Sequence, residues 1–332
     1  MNKINHICGQ LRRCTLLGVW AAALVGWGQS GSAVIHIPHV PLAGAIHVIQ
    51  QTIRNGSSII RAESMESLQN LDRPIRQNLL TKGLHDPSPM VRFSAAMVVG
   101  RCRLAALQPV VKKMLADKSM NVRVAAIYAL DRLGNSSGMN ELPRLLHSAQ
   151  PSVSANTAMV LGRLGDNSAI PLLLTEARNS SHGVQIAVTS ALARLGYHRA
   201  LSSLIALSLS GYEQDHLAAL STCRTLMNPL AINVLRAGLR EPDPAANLIA
   251  ARGLGQRGSV MGEKAAIRYS HSSKPQLRAL AALALGAIPM SGNVAVLTKM
   301  LGDSDVHVQV AAAAGLFHFH AMILRLRATR QH

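Results

Sequence analysis

The sequence predicts an all-α fold, an α-α superhelix of about nine helical hairpins of 31 residues each. Three observations carry this. Apolar positions recur four, eight and eleven residues apart, which places them on one helix face. The same face returns every 31 residues with no insertion or deletion. Hydrophobic residues make up 48% of the 332 while aromatics make up only 3%. That composition suits Ala, Leu and Val helices packed closely in layers, and it excludes a disordered polyelectrolyte.

Residues 1–33 read as a signal peptide. Lys3, Arg12 and Arg13 precede the apolar run CTLLGVWAAALVGW (14–27), which is too short to span a bilayer comfortably. Gly31 and Ala33 suit cleavage after Ala33. The expectation is an exported protein, periplasmic or secreted; the alternative is a membrane anchor formed by an uncleaved N-terminal segment. Arg12-Arg13 hints at twin-arginine export, but Thr15 stands where that signal wants an apolar residue. The formal charge of the whole chain is +18, and without residues 1–33 there remain 31 bases against 16 acids, a net +15. Such a balance favours anionic partners. Cys8 and Cys14 leave with the peptide, so Cys102 and Cys223 cannot make a disulfide framework.

After a linker at 34–41, the repeats run from 42 to 320, opened by a more polar first unit that serves as a cap. Counting from Val91 as zero, each step of 31 meets Val122, Val153, Val184, Asp215, Ala246, Leu277 and Val308. Offset 4 carries small residues such as Ala95, Ala126 and Ala281, and offset 8 carries Leu130, Leu161, Leu254 and Leu316. Glycine recurs at offset 12 (Gly134, Gly165, Gly196, Gly258), where a left-handed residue ends a helix. Asp86, Asp117 and Asp303 at offset −5 are turn and N-cap types. A shorter apolar cluster follows each long helix, often opened by proline (Pro74, Pro109, Pro171, Pro229). A lone hairpin cannot bury its apolar faces, so neighbours must stack. Residues 321–332 form a basic C-terminal tail, expected to cap the last unit or to dock on an acidic surface.

DPSPMVRFSAAMVVGRC (86–102), DKSMNVRVAAIYALDRLG (117–134) and KPQLRALAALALG (274–286) resemble the short HEAT-like repeats known from phycobilisome lyases and many bacterial proteins. The resemblance covers about five-sixths of the chain. It implies a HEAT-like solenoid and leaves function open, because such repeats serve as scaffolds, enzymes and adaptors alike. Deoxyhypusine hydroxylase, an enzyme of this class, holds iron with His-Glu pairs, and this chain has no His-Glu dipeptide. Lyase activity has no crisp motif to look for, but export from the cytoplasm argues against it.

No catalytic centre is expected. Cys102 and Cys223 lie four repeats apart, roughly 40 Å at helix-layer spacing, and both occupy apolar repeat positions. Cleavage after Ala33 would leave Val34, Ile35 and His36 as an amine, two amides and an imidazole, a square-planar set for Cu(II) or Ni(II). Nothing else suggests a metal or cofactor. His318 and His320 point to different helix faces.

Two binding surfaces are expected instead. Arg101, Arg132, Arg163 and Arg194 at offset 10 would form a basic edge with rungs about 10 Å apart. Each also complements the C-terminal dipole of its own helix. Offsets 2 and 6 would line the concave groove with Phe93, Met97, Val124, Tyr128, Met159, Ile186, Leu217 and Arg252, a partly Met-rich stripe able to accept a partner helix. Arg92, Arg123 and Arg278 at offset 1 should instead bond to loop acids such as Asp86 and Asp117. The expected function is an exported, non-catalytic protein-binding scaffold or adaptor of the cell envelope, its partner another protein. A binder of anionic lipid or polymer is the first alternative, and a lyase-like or other repeat enzyme the second. Nucleic acid is disfavoured because base-stacking aromatics are scarce.

Overall fold

A computed structural model describes residues 40–328. The expected signal peptide, the Val34-Ile35-His36 site, most of the linker and the last four tail residues lie outside the described residues. Among the described residues there are eighteen α-helices and no strand, so the fold is an all-α solenoid of hairpins. In chain order the pairs are α1 (Leu42–Asn55) with α2 (Ser58–Ser67), α3 (Arg73–Leu84) with α4 (Pro89–Cys102), and α5 (Gln108–Lys113) with α6 (Met120–Arg132). Then come α7 (Leu142–Leu146) with α8 (Pro151–Leu164), α9 (Ile170–Asn179) with α10 (His182–Arg194), and α11 (His198–Leu207) with α12 (Glu213–Cys223). The series closes with α13 (Pro229–Gly238) and α14 (Pro244–Gly255), α15 (Glu263–Tyr269) and α16 (Pro275–Ala287), and α17 (Asn293–Met300) and α18 (Val306–Ala328). The second helix of each pair starts 31 residues after the one before it, from Ser58 and Pro89 to Pro275 and Val306.

Contacts divide the chain into two bodies, Ile49–Val234 and the remainder, in which the described residues up to Val48 join those from Leu235 onward. In the first body Val91, Val122 and Val153 at offset 0 and Ala95, Ala126, Thr157, Val188 and Ala219 at offset 4 are fully buried. The second body repeats this with Ala250, Ala281, Ala312, Leu285 and Leu316. Burying each Leu or Val contributes about 1.5–3 kcal/mol. The start of α1 belongs to this second body, where Ala45 is fully buried and a Cβ on Gly44 would stand 3.3 Å from Leu301.

Small residues do bring helices together, and at offset 9 the backbones of successive long helices approach most closely. A Cβ on Gly100 would stand 2.7 Å from the Ala129 Cα, and one on Gly162 would stand 2.7 Å from that of Ala191. In the second body a Cβ on Gly286 would overlap the backbone of Gly315.

The acids at offset −5 are not N-caps. The cap position lies two residues later, at Ser57, Ser88, Ser119 and Asp243. Asp117 instead accepts the Ser119 amide at 2.9 Å and takes two hydrogen bonds from Arg92 of the preceding repeat, at 2.8 and 2.9 Å. Arg61 grips Asp86 in the same way, as does Arg278 with Asp303 in the second body. Each arginine also donates to its own loop, as Arg92 does to the Asp86 carbonyl at 2.8 Å. Arg123, whose partner position holds Ser148, donates to the Asp117 carbonyl and comes only within 4.0 Å of Glu141.

Left-handed helix stops fall at offset 12. Gly134 has φ +83°, and the Asn135 amide closes α6 by donating to the Leu130 carbonyl at 2.9 Å. In the preceding repeat the same conformation is taken by Arg103, φ +50°, with Leu104 donating to Val99. At the C-terminus the boundary expected between His320 and the tail falls inside α18, which continues to Ala328. This helix has the length and apolarity of a membrane span, yet Val308, Leu316, Phe317, Phe319 and Ile323 are buried in its body.

Candidate functional site

The last turns of α4, α8 and α10 carry Arg101, Arg163 and Arg194. Repeat phase places them there: each follows by one residue a small offset-9 side chain (Gly100, Gly162, Ala193) on a buried helix flank. The side chains are half-buried. Arg101 and Arg194 both act on Arg163, and Arg101 acts on Arg194 three repeats away. Arg132, the remaining expected rung, is also half-buried, in the last turn of α6.

Burial, reinforced by Arg101 and Arg194, pushes the Arg163 guanidinium down to about 10; Glu66 and Tyr128 oppose the shift. Arg194 is lowered for the same reasons, burial first and Arg101 second. Arg163 Nε is buried and has no acceptor among the described residues. Arg101 Nη1 donates to Gln69 Oε1 at 2.6 Å. The Gln69 carbonyl accepts from Arg76 Nη1 at 3.0 Å and from Cys102 Sγ at 3.5 Å. Burial raises the Cys102 thiol despite Arg76 and Arg101, which keeps it from acting as a thiolate. Cys223 is fully buried.

The apolar stripe is partly withdrawn into the core. Met97, Val124 and Tyr128 are buried, the last at 4% exposure, because offsets 2 and 6 pack against adjacent long helices. A carboxylate at Tyr128 would therefore enter the core, where an unpaired charge is strongly disfavoured. Phe93, Met159 and Ile186 in the first body are half-buried, as are Leu217 there and Arg252 in the second. The most exposed large apolar side chains of the first body lie instead in the loops beside α12, at Leu209, Tyr212 and Met227, each about four-fifths exposed. The legible signal was Tyr212, an aromatic at a cap position where the other repeats carry polar residues such as Ser57, Ser119, Gln150 and Asp243.

Two histidine pairs replace the missing arginine clasps. His147 Nδ1 lies 2.6 Å from Glu176, which also accepts from Ser154 Oγ at 3.1 Å. His182 Nε2 lies 2.9 Å from Asp215. Glu176 stands between the serine and the histidine, so Ser154 has no base of the kind that activates a nucleophile. Among the described residues no group of three or more His, Cys, Asp or Glu could hold a metal ion.

HEAT repeats match residues 77–142, 140–223 and 232–317. No curated protein matches the sequence. Among solved structures, human deoxyhypusine hydroxylase in complex with glycerol is 17% identical, covering 83% of this chain and 96% of its own, with a TM-score of 0.38. The complex of CpcE and CpcF of phycocyanin lyase from a Nostoc species is 18% identical, covering 74% and 97%, with a TM-score of 0.46. An engineered protein is 19% identical, covering 86% and 92%, with a TM-score of 0.30.

Proposed function

This chain belongs to the HEAT-repeat family, and from that premise we propose that it is a non-catalytic scaffold or adaptor that holds an acidic partner protein at the arginines that end its long helices. Repeats of this family typically mediate protein contacts. One observation carries the reading: Arg101, Arg163 and Arg194 end α4, α8 and α10 half-buried, and the buried Arg163 Nε has no acceptor among the described residues. A half-buried guanidinium with an unpaired donor is unfavourable unless an acceptor is received there. Lys3, Arg12 and Arg13 ahead of the apolar run 14–27 support a place in the cell envelope, periplasmic or secreted, with an envelope protein as partner. The net charge of +18 keeps anionic lipid or polymer as the second reading.

The test is affinity capture from the envelope with the wild-type protein and with Arg101→Gln/Arg163→Gln/Arg194→Gln, at low and high salt. A protein retained at low salt, released at high salt and absent from the variant supports the proposal. Equal retention by both proteins at both salts overturns it.

A further inference from the structure

We infer that a cleft between α1 and α3 is a site for one small amphipathic acid, an anionic head on a short aliphatic body. The site is separate from the arginines that end the long helices, and its test is independent of theirs.

The cleft encloses about 330 Å³ and lies within the body Ile49–Val234. Two helix faces make its walls. Gln50, Ile53 and Arg54 stand three and four residues apart, hence on one face of α1. Ile75, Asn78, Leu79 and Lys82 share a face of α3 by the same spacing. Leu79 is buried at the base, whereas Ile53 and Ile75 are only half-buried, so apolar wall stays open to water. Each face ends in a cation, Arg54 in the last turn of α1 and Lys82 in the last turn of α3. No acidic residue lines the cleft. Arg54, Lys82 and the amides of Gln50 and Asn78 have no side-chain partner among the described residues. Arg61, by contrast, is clasped by Asp86 at 2.8 Å.

These features select a ligand with two unlike ends. An inorganic anion would meet the cations and leave Ile53 and Ile75 in water. A neutral hydrocarbon would cover the isoleucines, which burial favours, and leave Arg54 and Lys82 without a counter-charge. An acid on a short chain does both, and the two amides can donate to its head. Volume sets its size. The cleft is at the small end of the range for ligand pockets. At about 30 Å³ for each water-sized group it holds roughly ten non-hydrogen atoms.

The experiment is isothermal titration calorimetry of the full chain with sodium octanoate, at ionic strength held constant with chloride. The variants are Arg54→Gln/Lys82→Gln and Asn78→Trp, which fills the cleft with an indole. The control is Lys112→Gln/Lys113→Gln, in the last turn of α5. All five positions are exposed, so the fold tolerates the changes. Wild type and control should bind one octanoate per chain with a Kd of about 1 mM or tighter. Both cleft variants should bind it at least about tenfold more weakly, as should wild type with acetate (the head alone) or octanol (the body alone). No saturable octanoate binding by wild type overturns the inference. Wild-type affinity in either cleft variant also overturns it, because binding would then lie elsewhere on the basic surface. Acetate as tight as octanoate would make this a plain anion site, and octanol as tight would make it an apolar one; either result overturns it too.

Discussion

Arg92 holds Asp117, 25 residues ahead, through two parallel hydrogen bonds, Nε to Oδ2 at 2.8 Å and Nη2 to Oδ1 at 2.9 Å. The pair joins the first long helix of the regular series to the loop that opens the next. Its side chains retain only 18% and 12% of their exposure.

Arg92→Ala should therefore cost about 1–3 kcal/mol, the range for losing a charge-assisted bond that leaves its partner behind. Arg144→Ala is the comparison, since Arg144 is 69% exposed and meets Glu141 at 3.4 Å. That change should stay within about 0.5 kcal/mol. Urea unfolding of both variants checks the contrast.

Acid should unfasten these clasps. At Asp117 burial pushes the carboxyl up, but the bonds from Arg92 and the Ser119 amide outweigh it and hold it below the ordinary range. Asp86 balances the same way with Arg61 and Ser88. At Asp303 the Arg278 bonds are the largest influence. Each folded value lies below the ordinary 3.8, so the stabilisation is complete well above that pH. It is lost as pH falls through the depressed folded values. Urea midpoints followed from neutral pH downward should fall more steeply below about pH 4 in wild type than in Arg92→Ala.

Arg103 takes a left-handed backbone, φ +50°, at the position where later repeats place glycine. The conformation costs a residue with a Cβ about 1–2 kcal/mol, of which glycine returns some as unfolded-state entropy. Arg103→Gly should stabilise by about 0.5–1 kcal/mol, and Gly134→Ala should destabilise by a similar or larger amount. Paired denaturation curves read both signs.

Adding one methyl group should have opposite effects at two glycines. Gly286→Ala places a Cβ into the backbone of Gly315, forcing α16 and α18 apart at a cost of about 1–3 kcal/mol or more. Gly183 has nothing within 4 Å of the added Cβ, so Gly183→Ala in the first turn of α10 should gain up to about 1 kcal/mol from helix propensity. Thermal melts of the two variants should move in opposite directions.

Much of the fold was legible in one dimension. Val91, Ala95 and Val99 share a helix face by spacing alone, and a face repeated in register must find its partner in the next copy. The clasp between offset 1 and the following loop was legible too, because Arg and Asp recur in phase. The offset-9 contacts were harder to see, since Gly100, Gly162 and Gly286 are interrupted by Asp131 and Arg224. The apolar stripe was misjudged at Met97, Val124 and Tyr128 because periodicity gives the direction of a side chain along its own helix. It does not give the width of the neighbour that covers it.

What the amino-acid order determined by itself was the repeating unit: helix starts, glycine stops, buried face and inter-repeat ion pairs. All of these depend on residues at most a few dozen positions apart. The tertiary structure alone decided how deep each side chain sits: Met97, Val124 and Tyr128 are buried while Arg101, Arg163 and Arg194 stay half-buried. Depth depends on which neighbouring helix closes over a side chain, and that leaves no trace in the spacing of the letters.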